Sequence, residues 1–553
     1  MNRVRFIATI GPSSLDEKII SGMVRAGAVS FRLNTAHIEV NYIKKVKRIV
    51  RNIKVDGTIS PSIILDLKGP EVRATFKGKS ELNLIRGKIY KVGSGGSKSD
   101  IILNAASVVG QLGKGDKILL SDGKIQMNVT DSKDDIVYAK AMNEGLLRNN
   151  ARVNLPDKEL NLGSLTERDK MFLNEGIKED IEFFALSFVQ SAKNVEEFRE
   201  EILEKGGDQF VISKIETGSG VKNIDRICKS SDMIMVARGD LGVELPLEEI
   251  SMIQKEIIRK AHSYGIPSIV ATQMLESMVE NDEPTRAEVN DISNAILDNA
   301  DILMLSEETA IGKHPLEAVE TLNKVTKYVE SRLYDYPEPQ EFIGNTIAYA
   351  VAKSAKNMSS EVKADIIALT RSGSTVKMLS ALRPRGKIYA VSGNDRLIRK
   401  LYLYHNTYPL PLDIRGNSIE EITDGIINSG HFKKGELLIV TSGEPYFPFG
   451  GTNDVRYIIV GNFIGRGASF GPSATGRITR EEGKGEILVV DRKSKLDLGA
   501  RNKAFLFAYP IKFSLIENLI SEGKTVVTSV VFKKRPREGE SVIIDSRTGI
   551  IYN

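Results

Sequence analysis

Two short apolar runs end in charge: Ile212-Ser213-Lys214-Ile215-Glu216 and Met235-Val236-Ala237-Arg238-Gly239-Asp240. Together they deliver two carboxylates and a lysine. Two carboxylates can hold a hard divalent cation, which fills its remaining positions with water and substrate oxygens. A lysine beside them can neutralise a phosphoryl group in transfer. Lys214 precedes Glu216 by two residues, so along a strand both point to one face. The competing reading is two unrelated strand-end acids, with Lys214 in a structural salt bridge.

Arg32-Leu33-Asn34 and Asp66-Leu67-Lys68-Gly69-Pro70-Glu71-Val72-Arg73 end two more such runs. Arginine grips phosphate bidentately. Arg32, Arg73 and Lys214 around Glu216 and Asp240 therefore fit a polyphosphate plus a second phosphorylated substrate, or else a structural ion-pair network. Gly239-Asp240-Leu241-Gly242 can open a short helix whose unpaired N–H groups bind a carboxylate. Thr272 can offer its hydroxyl to that carboxylate or to a proton relay. Thr370-Arg371-Ser372-Gly373-Ser374-Thr375 lies between a strand pattern and a helix pattern. It reads as a phosphate nest or as an ordinary N-cap turn.

The elements that carry these residues form a series. Apolar runs with polar C-terminal ends recur at Phe6–Ile10, Val29–Leu33, Ile63–Asp66, Phe183–Ser187, Phe210–Lys214, Met233–Ala237, Ser268–Thr272 and Ile302–Leu305. Most are separated by one helical pattern, such as Glu248 to Tyr264. Eight strands alternating with helices predict a (β/α)8 barrel, whose active site lies at the strand C-terminal ends. One interval, Asp66 to Phe183, is too long for a single crossover. Its glycine-rich turn Gly93-Ser94-Gly95-Gly96 and short strands such as Lys117–Leu120 predict an inserted β domain at 71–155, either a lid or a passive decoration. The barrel then takes 1–70 and 156–335.

Tyr334-Asp335-Tyr336-Pro337-Glu338-Pro339 reads as a linker. Helix Phe342–Asn357, strand Ile366–Leu369, helix Val376–Leu382 and strand Ile388–Val391 predict an α/β domain over 340–460. The last segment, 463–553, is rich in glycine and β-formers and closes on a hairpin pattern, Glu538 to Tyr552.

The chain of 553 residues has 77 basic and 72 acidic side chains, a net charge of +5. So small an excess does not argue for a nucleic-acid partner. No apolar run reaches the roughly 18 residues of a membrane span. The one cysteine, Cys228, rules out an intrachain disulfide. It suits a reducing, cytoplasmic setting and reads as an inert core residue.

The strings TIGPSS (9–14), FRLNTAH (31–37), LDLKGPEVR (65–73), VNLPD (153–157), ISKIET (212–217), MVARGDLGVELP (235–246), ATQMLESM (271–278), PTRAE (284–288) and MLSEETAIGKHPLEAV (304–319) together resemble the pyruvate kinase family. They run in family order through the first 320 residues, and the family layout extends to about 460. The resemblance implies a barrel, a β lid after the third strand and a C-terminal α/β domain. The implied reaction is phosphoryl transfer from phosphoenolpyruvate to ADP, giving pyruvate and ATP, the last step of glycolysis. It implies Mg²⁺, for which Mn²⁺ can substitute, on Glu216 and Asp240. Lys214 and Arg32 would contact the transferring phosphoryl, with Arg73 on the nucleotide phosphates. N–H groups near Gly239 and Asp240, with the Thr272 hydroxyl, would hold the substrate carboxylate. Thr272 and Ser306 would border the relay that protonates the enolate. Asn34, His37 and Asp122 match positions on the nucleotide or lid side. The loop Thr370, Ser372, Gly373, Ser374, Thr375 resembles an effector-phosphate site, and a homotetramer is implied.

The sequence departs from the family at several positions. The monovalent-cation site keeps Asn34 and Asp66, has Leu67 with only its carbonyl to offer, and has Ala36 in place of a serine. A weakened or altered K⁺ site is the expectation; Glu71 is of the type in K⁺-requiring members. Glu307 replaces a glycine beside Ser306 and points either into the relay or into solvent. Ala151-Arg152 stands where Lys-Gly is usual, so Arg152 is expected to take over a nucleotide contact. The tail weakly resembles the swivelling domain of phosphoenolpyruvate-utilising enzymes. The histidines are His37, His262, His314, His405 and His431, so the tail lacks one and phosphohistidine transfer there is excluded. An alternative function is a catalytically weak paralogue that senses phosphoenolpyruvate or an effector phosphate.

Overall fold

The structure is a computed structural model. It describes every residue except 1, 56, 79, 96–98, 134, 157, 159, 161–162, 334–341, 345, 411, 413–418, 444–450, 462 and 492–500, and the side chains of 346, 419 and 420. The expected linker at 334–339, Gly96 and Asp157 lie outside the described residues. The chain divides into two compact units: Met1–Lys356 with Ala368–Pro411 and Ser442–Asp454, and Asn357–Ile367 with Leu412–Thr441 and Val455–Asn553. Residues of the expected 340–460 domain fall in both.

All eight expected strands form in the first unit, as Arg5–Thr9, Ala28–Asn34, Ser62–Asp66, Phe183–Leu186, Phe210–Ile215, Met233–Ala237, Ser268–Ala271 and Ile302–Leu305. They close into a barrel in chain order. Neighbours pair in parallel, and the first pairs with the last. Strands such as Phe183–Leu186 and Met233–Ala237 are buried along their whole length, as expected of β-rich runs covered on both faces. The helices between them are amphipathic. In Ala192–Glu204, Val195, Phe198 and Ile202 are buried at helical spacing.

Two of the recognised strings have local structural causes. PTRAE is a capping box on helix Arg286–Leu297: the Glu288 N–H donates to Thr285 Oγ1 at 3.3 Å, and the Thr285 N–H donates back to Glu288 at 2.7 Å. Glu288 also accepts from the Ser277 N–H at 2.7 Å, which ties down the loop after the seventh strand. In TIGPSS, a Cβ at Gly11 would lie 2.4 Å from the Ala310 carbonyl oxygen, so only glycine lets these backbones meet.

The insertion is a second closed barrel, built from strands between Arg73 and Asn154. It has its own apolar core, including Val92, Ile101, Leu120, Met127 and Val137. The first unit also holds Ile388–Val391, paired in parallel with Thr407–Pro409, and helix Ser374–Ala381. In the second unit, seven strands between Phe463 and Tyr552 close a third barrel, with helix Phe513–Ser521. Its last two strands, Ser541–Asp545 and Ile550–Tyr552, form the expected terminal hairpin. Cys228 is buried and unbonded. No helix among the described residues is long and apolar enough to cross a membrane.

At the end of the barrel opposite the charged rim, Asp301 is fully buried. It pairs with Arg383 at 2.7 Å and His262 at 2.9 Å, and accepts the Ser268 N–H at 2.8 Å. Burial works against its charge, but Arg383 and His262 hold the carboxyl far below its usual range. Removing one partner of such a buried pair costs about 3 kcal/mol or more. Asp301→Asn is expected to bring forward the first thermal unfolding transition at pH 7, and an unchanged melting curve would contradict this role.

Candidate active site

The fifth strand, Phe210–Ile215, delivers Lys214 to the barrel rim. Its ammonium lies 3.1 Å from Asp66 Oδ1, 2.9 Å from Glu216 Oε1 and 2.8 Å from Ser187 Oγ. Asp66 ends the third strand and faces Asn34, its register partner on the second. Its other oxygen takes Arg32 Nε at 2.6 Å, and Arg32 Nη1 reaches Thr9 Oγ1 at 3.2 Å. Five neighbouring strand ends thus converge on two carboxylates and two cations. Glu216 is 2% exposed, and its second oxygen accepts the Phe188 N–H at 2.8 Å.

Burial works against the Lys214 charge, but Asp66 and Glu216 outweigh it and hold the ammonium above the usual lysine range. Burial also opposes the Asp66 carboxylate, yet Lys214 and Arg32 keep it below its usual range. Glu216 differs. Burial pushes its carboxyl up to about 7; Lys214 pulls against this, and the Asp240 charge adds to it.

Asp240 lies on the short helix Arg238–Glu244 that follows the sixth strand. Its Oδ1 accepts Arg152 Nη1 at 2.6 Å. Arg152 comes from the inserted barrel, on strand Ala151–Asn154, and its guanidinium lies 5.0 Å over the Phe188 ring. Burial opposes its charge, and Asp240 more than restores it. Side-chain cations thus stand at both expected metal ligands, Lys214 at Glu216 and Arg152 at Asp240. Glu216 and Asp240 are near enough for the charge of one to act on the other, and two such carboxylates are a donor set that fits a divalent ion in place of the side-chain cations. No group of three or more acidic, histidine or cysteine ligands occurs among the described residues, but magnesium needs only one or two carboxylates.

Thr272 follows the seventh strand with φ +67, a conformation β-branched residues rarely adopt and one found at functional sites. Its hydroxyl donates to the Ala271 carbonyl at 2.6 Å and accepts the Gly239 N–H at 3.0 Å. Arg238 braces this corner, donating to the Thr272 carbonyl and to Asp291, both at 2.6 Å.

Ser306 Oγ is buried and has no partner among the described residues. Its N–H donates to Glu308 at 2.6 Å. Glu307, the departure from the family string, is exposed. Of its two readings, the structure selects solvent; the inward carboxylate is Glu308.

Arg73 pairs with Glu71 and donates to the Asn150 carbonyl at 3.1 Å. Arg73, Asp122 and Arg152 share a cavity of about 630 Å³ in the inserted barrel, with Lys124 and Arg148. Neither Asn34 nor His37 lines it, and His37 is exposed. Asn34 instead accepts the Ala36 N–H at 3.1 Å, and the Leu67 carbonyl accepts Ser187 Oγ at 2.8 Å. In the 370–375 loop, Gly373 has φ +90 and its N–H donates to Thr370 Oγ1 at 2.8 Å. Thr375 turns inward, 2.7 Å from Thr452 Oγ1, so its hydroxyl is already engaged.

Sequence reading missed Ser187, Phe188, Thr9 and Glu308. Ser187 ends a recognised strand, which was a usable signal. Phe188 carries a positive φ of 56 that no residue type announces.

A buried ammonium, two guanidinium groups and paired acids at the C-terminal rim of a barrel define an enzyme that handles phosphoryl groups. Comparison with known proteins gives the family. Residues 1–319 match the family model for the pyruvate kinase barrel domain, and residues 345–458 match that for the pyruvate kinase alpha/beta domain. A pyruvate kinase of Thermoplasma acidophilum is 47% identical over 99% of this chain and 98% of its own length. One of Thermotoga maritima is 37% identical over 83% of this chain and 100% of its own. A crystal structure of a pyruvate kinase from Cryptosporidium parvum superposes with a TM-score of 0.76 at 30% identity, covering 83% of this chain and 96% of that one. The chain belongs to the pyruvate kinase family and is a phosphotransferase.

The raised Glu216 carboxyl has a consequence for stability. Between its ordinary 4.5 and about 7, the folded chain holds a proton that the unfolded chain has released. Stability from this group therefore falls as pH rises through 7. Without divalent ions, Glu216→Gln is expected to melt above the wild type at pH 8, with the gap closing towards pH 5. Equal melting temperatures at pH 8 would contradict the shift.

Proposed function

We propose that this chain transfers the phosphoryl group of phosphoenolpyruvate to ADP, giving pyruvate and ATP, with Lys214 as the principal cation at the reacting group. The observation that carries the reading is Lys214 held between Asp66 and Glu216 at the barrel rim. Phosphoryl transfer asks mainly for positioning and charge neutralisation. Lys214 and Arg32 supply positive charge where the phosphoryl passes, and Asp66 fixes both. The Gly239 N–H and the Thr272 hydroxyl, which engage each other and the Ala271 carbonyl in the free enzyme, would turn to the substrate carboxylate on binding. The Ser306 hydroxyl, buried without a partner among the described residues, supports a role in holding a water or passing a proton to the enolate carbon. Arg73 and Arg152 line the cleft suited to the nucleotide phosphates.

Glu216 and Asp240 are the residues that would hold Mg²⁺, which when bound neutralises charge on the substrate oxygens. For a monovalent cation, Asn34, Asp66 and the Leu67 carbonyl provide oxygens. Asn34 and Asp66 sit in register on adjacent strands, and Ala36 offers no hydroxyl. That donor set suits a weakened K⁺ site. The segment 463–553 has no histidine and takes a structural or interface role in this reading. The exposed Glu307 removes one motive for the sensor alternative.

Pyruvate formation from phosphoenolpyruvate and ADP with Mg²⁺ tests the reading, with Lys214→Met as the comparison. A loss of about 10²–10³-fold or more is expected. Undiminished turnover in the variant would remove Lys214 from the reaction, and absent turnover in the wild type, despite phosphoenolpyruvate binding, would favour the sensor. At fixed ionic strength, Ala36→Ser is expected to lower the half-saturating K⁺ concentration roughly fivefold, the equivalent of about 1 kcal/mol from one added ligand. Activity flat across the K⁺ titration in both proteins would sink the K⁺ site.

A further inference from the structure

The second unit contains a cleft that the phosphoryl-transfer reaction leaves unused. Its volume is about 910 Å³, the size of a small-ligand pocket. The floor is apolar, with Ile458, Ile464 and Ile550 all buried. Tyr457 and Phe463 stand at the rim, 46% and 42% exposed, with ring surface open to solvent. Four basic side chains, Arg466, Lys533, Lys534 and Arg535, also line the cleft and are exposed.

Strand pairing gathers these cations. Gly465 pairs with Phe532, and the N–H groups of Lys533 and Lys534 both donate to the Ile464 carbonyl, at 2.8 and 3.2 Å. The Lys-Lys-Arg run is thereby turned across the strand that carries Arg466. Arg466 Nη1 donates to the Tyr457 hydroxyl at 3.1 Å, joining the basic lip to the aromatic one. Among the described residues neither Lys533 nor Lys534 has an ion-pair partner, and Arg535 meets Asp491 only at 3.5 Å. Two carboxylates, Asp424 and Glu540, also line the cleft. Glu540 is already engaged by the Arg537 N–H at 2.7 Å and by Asn553 Nδ2. Asn553 Oδ1 is buried and has no partner among the described residues.

Unneutralised lysines bind phosphate, and open aromatic faces stack on flat rings. The Asp424 carboxylate and the Asn553 amide oxygen are acceptors for a sugar hydroxyl or a ring amino group. We propose that this cleft binds a small nucleotide, with its phosphate on Lys533, Lys534 and Arg466 and its base against Tyr457 or Phe463. This site is distinct from the 370–375 loop and needs no residue assigned to phosphoryl transfer.

Binding of labelled AMP to the full chain tests this, because AMP is not the phosphoryl acceptor proposed above. Pyrophosphate serves as a ring-free competitor. The wild type is expected to bind AMP saturably. Lys533→Glu with Lys534→Glu should weaken binding about tenfold or more, the loss of one or two charge-assisted contacts. Tyr457→Ala should weaken AMP but not pyrophosphate. Both variants should keep the wild-type melting profile and, with AMP absent, the wild-type turnover. No AMP binding by the wild type would overturn the proposal, as would full binding by the double variant. So would binding that Ser374→Ala abolishes while the double variant retains it. Equal loss of AMP and pyrophosphate in Tyr457→Ala would leave only a general anion site and would also overturn it.

Discussion

One buried ammonium organises the charged rim of the first barrel. Lys214 sits between Asp66 and Glu216, and without it two nearly inaccessible carboxylates would face each other across the end of the fourth strand. Burying ions is costly unless each is paired with good geometry. Here the pairing is shared: Asp66 also takes Arg32, Glu216 also takes a backbone N–H, and Lys214 also takes the Ser187 hydroxyl. The outcome is asymmetric. Asp66 stays a firm anion, Lys214 a firm cation, and Glu216 is left with its carboxyl up near 7. Glu216 is thus the group with most to gain from another positive charge, which is what a metal ligand requires.

The inserted barrel supplies the second half of this balance. Arg152 reaches from its strand to Asp240 and lies over Phe188, the same residue whose N–H holds Glu216. The two expected metal ligands are therefore coupled through one backbone position as well as through their charges. A cation from the lid rests on a ligand that would otherwise be free for an ion. An anion entering the cleft beside Arg73 would compete with Asp240 for Arg152, and a divalent ion would compete with Arg152 for Asp240, so either one would draw on the same contact.

Much of this was legible in the sequence. The barrel strands are apolar along their length because both faces are covered, and their charged ends mark the rim. The two-residue spacing of Lys214 and Glu216 placed both on one face without any structure. What the sequence could not carry was register and direction. Ser187 meets Lys214 because Leu186 pairs with Ser213 across strands, a relation no local pattern encodes. Glu307 and Glu308 are adjacent and chemically alike, yet one faces solvent and the other anchors Ser306 and Leu275. Arg152 was read as a nucleotide contact; its pairing with Asp240 depends on how a separate barrel folds back over the rim. Thr375 looked like part of a phosphate nest, but the helix turns its hydroxyl inward to Thr452.

Lys214 is a permanent cation held by its carboxylates, and not a base that gives up its proton. The direct measurement is the side-chain ¹⁵N resonance of Lys214 in the metal-free, lysine-labelled protein, assigned with Lys214→Met and followed against pH. An ammonium that does not titrate up to about pH 10, near the ordinary lysine midpoint, is the expected result. A midpoint below about pH 9 would contradict it, because the lysine would then be tuned to lose its proton rather than to keep its charge.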